Sequence, residues 1–125
     1  MIYFLAAVLT GLLLAAPIAW SGQPAVAVFG PTQLHLFTVG WVTQIIFGVA
    51  YWMFPRHSAA RPRGSEALGW ASLILLNAGL LFRVVGEPLS RLGDRVGPLL
   101  VVSALLQLLA GWAFVLNTWP RVRGR

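Results

Sequence analysis

The sequence predicts an all-α integral membrane protein, a four-helix bundle with both termini cytoplasmic. Three observations predict it: apolar residues dominate, charges are scarce, and those charges lie between four long apolar runs. Of the 125 residues, 58% are hydrophobic and 10% are charged, and the mean hydropathy is +0.80. A soluble domain carries about 25% charged residues, so this chain lacks the polar side chains to cover a surface facing water. The length suits one domain and not two. The absence of cysteine excludes a disulfide framework, a thiolate metal site and a cysteine nucleophile.

The first apolar run, Met1 to Trp20, has no charged side chain and matches the roughly 20 residues that a spanning helix needs. It lacks the basic start of a secretory signal and exceeds the usual apolar stretch of one, so it reads as a retained helix over residues 2–20. The stretch Ser21 to Pro31 holds Gly22, Pro24, Gly30 and Pro31 and reads as a loop. The second span covers 32–54 and is closed by Pro55. A basic loop follows with Arg56, His57, Arg61 and Arg63. Ser65 is the expected N-cap of the third helix, with Glu66 in its first turn. The third span covers 67–85 and encloses Asn77 and Arg83. Gly86 to Pro98 reads as a polar connection holding Glu87, Arg91, Asp94 and Arg95. The fourth span covers 99–119, and Pro120 is expected to stop it before Arg121, Arg123 and Arg125.

The positive charge comes from nine arginines without a lysine. They sit at the ends of the apolar runs, where their role is topology and headgroup contact rather than nucleic-acid binding. With four spans, Arg56, Arg61, Arg63, Arg121, Arg123 and Arg125 fall on one side. Arg91 and Arg95, offset by Glu87 and Asp94, fall on the other. The excess of positive charge puts both termini in the cytoplasm, and the inner (cytoplasmic) membrane of a prokaryote is the expected location. Trp20, Trp52, Trp70 and Trp119 lie near span ends, as an aromatic belt requires.

Polar groups inside the apolar runs are costly and mark candidate sites. They are His35, Thr38, Thr43, Gln44, Asn77, Arg83, Ser103 and Gln107. At 100° per residue, His35 shares a face with Thr38, Val39, Val42, Ile46, Val49 and Met53, and Gln44 lies on the opposite face near Gly40 and Gly48. An imidazole above an aliphatic wall suits a haem pocket, but a lone histidine more often simply bonds a neighbouring helix near the interface. Arg83 has three roles open: snorkelling to headgroups, pairing with Glu87 one turn later, or holding a carboxylate such as a haem propionate. Asn77, Gln107 and Gln44 read as polar glue between helices. No span contains a carboxylate on this reading, which disfavours a proton pump built on buried acids. No nucleophilic triad, phosphate loop or zinc spacing is present. His57 lies too far along the chain from His35 to share one metal with it.

The run LHLFTVGWVTQIIFGVAYWMFPR, Leu34 to Arg56, resembles the second transmembrane helix of the haem-copper oxidase superfamily large subunit, closest to the nitric oxide reductase and C-type oxidase branches. The resemblance implies that His35 is an axial ligand of a b-type haem, with Pro55 at the position of the helix-ending proline. It also implies a helix running from outside inward, which agrees with the arginine distribution. The resemblance is loose over the third and fourth spans. The family's later helices, which carry the remaining ligands, do not exist in this chain. Catalysis by the chain alone is therefore not expected, and any haem site needs a second chain. The expected partners are lipid and further copies in a homo-oligomer, a dimer or a trimer. Alternatively the chain is a cofactor-free accessory or assembly subunit of a respiratory oxidase or nitric oxide reductase complex.

Overall fold

The computed structural model describes residues 1–16, 24–54, 63–93 and 96–123. Every regular element among them is helical: α1 (Ile2–Ala15), α2 (Pro24–Phe37), a π-helical segment (Thr38–Thr43), α3 (Gln44–Met53), α4 (Glu66–Arg91) and α5 (Gly97–Arg123). The segments α2, π and α3 run without a break, so the described residues form four rods. Among the described residues, three stretches are long and apolar enough to cross a membrane: Val28–Met53, Glu66–Arg91 and Gly97–Arg123. The rod α1, at 14 residues, is about 21 Å long. That is short of the roughly 30 Å of a hydrocarbon core.

Of the first span, expected over 2–20, Ile2–Ala15 is helical, and residues 17–20 lie outside the described residues. The helix bounds correct the sequence reading in three other places. The expected loop Ser21–Pro31 is helical from Pro24, with Pro31 inside the helix. The expected connection Gly86–Pro98 is helical as far as Arg91, with Pro88 inside. Finally, α5 runs through Pro120 to Arg123. Glycine and proline signals suggested breaks at these points because each weakens a helix in water. Where no water competes for the backbone, unfolding a turn would strand several polar groups, and a single missing donor costs less. Gly86 also packs closely: a Cβ there would come within 2.9 Å of Leu100 Cδ2.

The predicted start of α4 is present. The Ser65 side chain accepts from Leu68 N at 3.4 Å, and Glu66 occupies the first turn. The tightest interface joins α4 to α5 and is built from small residues. Gly79, Ser103, Ala110 and Ala113 are buried, and the Ser103 hydroxyl donates to the Gly79 carbonyl at 2.7 Å. Small side chains let two backbones approach, which drives helix association where lipid is the solvent. Long apolar side chains point outward instead, among them Leu9, Leu12, Ile74, Leu81, Leu108 and Leu116. Such surfaces would be untenable in water and are ordinary against acyl chains. Trp52, Trp70 and Trp119 are exposed near rod ends, as the belt reading requires.

The π segment changes which residues face α4. One residue wider than an α-turn, it rotates everything beyond it by about 100°. Gln44, expected opposite His35, is thereby brought round so that both face α4. The Gln44 amide donates to Asn77 Oδ1 at 3.0 Å. Inside the segment, Gly40 is buried where α1 and α4 close in. A Cβ on Gly40 would lie 2.8 Å from Tyr3 Cβ and 2.9 Å from Leu80 Cδ2. Asn77 Oδ1 also accepts from the Tyr3 hydroxyl at 2.7 Å. One amide oxygen thus ties three rods together midway along α4, and α1 begins at that level.

Candidate functional site: a buried carboxylate between histidine and arginine

His35 stands in α2 one turn after Pro31. Its Nδ1 is 2.9 Å from the Pro31 carbonyl oxygen. A carbonyl can only accept, so Nδ1 carries the proton. In the neutral ring the lone pair then lies on Nε2. Nδ1 is also 3.3 Å from Glu87 Oε1 across the interface with α4. The same carboxylate oxygen accepts from Arg83 Nε at 2.9 Å, one helical turn earlier, and Oε2 accepts from the Thr32 hydroxyl at 3.3 Å. The Glu87 side chain is 9% exposed, whereas His35 and Arg83 are each 27% exposed. The acid is the buried centre, and two basic groups lie between it and the outside.

The arrangement follows from local sequence. Thr32 and His35 are three residues apart and Arg83 and Glu87 four apart, so each pair shares a helix face. The two faces meet because α2 and α4 pack together. The structure brings the two predicted site residues, His35 and Arg83, to one carboxylate, and Arg83 takes the Glu87 pairing among its three open roles. Sequence reasoning missed Glu87 as a site residue because Gly86 and Pro88 flank it and suggested a loop. The expectation of no carboxylate within a span is corrected accordingly, since Glu87 lies inside α4 and is buried. Thr32 was also missed. The shared 3–4 spacing on two helices was the available signal.

The aliphatic wall expected beneath His35 is divided. Val39 and Val42 are half-buried on its own side, while Ile46, Val49 and Met53, beyond the π segment, are exposed. His57 lies outside the described residues. Among the described residues, no three histidine or acidic side chains converge on a point that could hold a bare metal ion. His35 Nε2 has no hydrogen-bond partner there, and Arg83 uses only Nε, so both side chains retain capacity for a ligand.

At the arginine-rich end a second polar lock forms. Arg121, expected beyond the helix end at Pro120, is 4% exposed. Its Nη2 donates to the carbonyls of Tyr51 at 3.0 Å and Phe54 at 2.6 Å. These are terminal carbonyls of α3, where a cation is favoured.

Together these features define a helical protein with three membrane-capable rods and a buried acid bridged to histidine and arginine. Compared with protein-family models, curated proteins and solved structures, the chain matches none.

Proposed function

We propose that this chain is a small haem-copper-oxidase-like protein of the inner membrane, oriented with its arginine-rich C-terminal end cytoplasmic, in which His35 Nε2 is a ligand of a b-type haem in a homo-oligomer. The observation that carries the proposal is the hold on His35. Iron-ligating histidines donate their other ring N–H to a carbonyl or carboxylate, which fixes the tautomer and the ring plane. Here Nδ1 meets both kinds of acceptor, Pro31 O and Glu87 Oε1. Glu87 orients the imidazole, and Arg83 and Thr32 hold Glu87 in turn. Arg83 retains two Nη groups for a propionate carboxylate. The haem would supply reversible one-electron chemistry. The described residues offer one such histidine, so a second iron-binding imidazole would come from His35 of a second copy.

The visible spectrum of the detergent-purified protein tests this. A Soret band is expected that is lost in His35→Ala. In Glu87→Gln, haem binding should weaken about 10- to 100-fold, the usual cost of removing an outer-shell partner. Arg83→Leu should release haem faster. A protein that stays colourless after haem is added would sink the proposal. Copurification of that colourless protein with a respiratory complex would instead support an accessory subunit.

A further inference from the structure

Between α3 and α4, toward the arginine-rich end, lies a cleft of about 440 Å³, within the size range of ligand sites. No α1 residue lines it, because α1 begins one layer above, at Tyr3 and Gly40. The cleft is held open at both ends. Gln44 is bonded to Asn77 at its deep end, and Arg121 fastens the end of α3 to α5 at the other. Phe114 of α5 forms part of its wall, stacked on Phe47 with ring centroids 4.0 Å apart and planes 9° apart. Gly48, Trp70 and Leu73 are exposed lining residues, so the cleft opens on the apolar surface of the protein.

Its chemistry is graded. The deep half is lined by Phe47, Leu73, Leu76 and Phe114. Tyr51 follows, its hydroxyl without a hydrogen-bond partner among the described residues. At the mouth stand one cation and one anion, Arg63 and Glu66. They are not ion-paired with each other, and both are exposed.

We infer that this cleft binds one phospholipid with a zwitterionic ammonium headgroup. An acyl chain lies along the aromatic and leucine wall up to the level of Gln44. The Tyr51 hydroxyl donates to a glycerol ester carbonyl. Arg63 meets the phosphate and Glu66 meets the primary ammonium. Two opposite charges at one mouth match a headgroup that carries both. A purely anionic headgroup would satisfy Arg63 and be repelled by Glu66. This inference is independent of haem binding.

The test uses the full chain in mild detergent, supplied with equal amounts of phosphatidylethanolamine and phosphatidylglycerol, with retained lipid counted by native mass spectrometry. The wild type should retain one phosphatidylethanolamine in preference to phosphatidylglycerol by about fivefold, the ratio given by ~1 kcal/mol of ion pairing. Glu66→Gln should reverse the preference toward phosphatidylglycerol. Gly48→Leu should abolish retention by filling the cleft, since a Cβ at Gly48 meets nothing within 4 Å and the backbone need not move. Equal retention of the two lipids by the wild type would overturn the inference. So would a preference unmoved by Glu66→Gln, or lipid retained undiminished by Gly48→Leu. A dimer that binds no lipid and is dissociated by Gly48→Leu would also overturn it, by showing that a second copy occupies the cleft.

Discussion

The Arg83–Glu87 pair permits a quantitative test of the candidate site. At 2.9 Å, unit charges attract by about 6 kcal/mol at an effective dielectric of about 20. Withdrawing the Glu87 carboxylate from solvent cancels most of this, leaving about 2 kcal/mol for a charge-assisted hydrogen bond. Arg83→Leu removes the partner and strands a buried acid that only Thr32 and His35 still contact, which should cost about 3 kcal/mol. Glu87→Leu strands Arg83, but that side chain is 27% exposed and reaches headgroups or water, so the cost should be about 1.5 kcal/mol. The double variant Arg83→Leu/Glu87→Leu leaves neither charge unpaired. It should be destabilised by about 2 kcal/mol less than the sum of the single changes. Reversible unfolding in mixed detergent and dodecyl sulfate micelles, followed by helical circular dichroism, measures all four corners of the cycle. Costs that add to within about 0.5 kcal/mol would refute the reasoning, because they would mean that the two groups do not interact.

Two further outcomes follow from the packing. Gly40→Val places methyl groups where Tyr3 Cβ and Leu80 Cδ2 already crowd a Cβ at under 3 Å. It should destabilise by about 1–3 kcal/mol in the same unfolding assay, while Gly48→Ala, with open space around it, should change stability by less than about 0.5 kcal/mol. Arg121→Met keeps the stem and removes the two donors to Tyr51 and Phe54. Hydrogen exchange at the end of α3 should then accelerate about 10-fold or more, as expected for losing ~1.5 kcal/mol of local stability. Unchanged exchange there would show that Arg121 does not hold that end.

Much of the architecture was legible because lipid imposes a simple rule. A run of about 20 apolar residues must be helical, since every backbone donor and acceptor has to be satisfied within the segment. Ser65 and Glu66 marked a helix start for an equally local reason. The ends near Pro31, Pro88 and Pro120 were illegible, because the rules for glycine and proline assume that water competes for the freed carbonyl. Asn77 and Gln44 were recognisable as polar glue, but not as partners of each other. Their meeting depends on the π segment Thr38–Thr43, one residue of extra width that no apolar periodicity revealed.

The sequence by itself determined the solvent, the helical class and His35 and Arg83 as the polar groups to question. Composition and run length are properties of the chain alone. Only the tertiary structure decided that these two side chains converge on a third. Glu87 looked like a loop acid, and it is a buried one because α4 continues past Gly86 and Pro88 while α2 packs beside it. That outcome depends on two helices contributing opposite halves of one hydrogen-bonded cluster. Residues more than 50 positions apart carry no local signal of such a meeting.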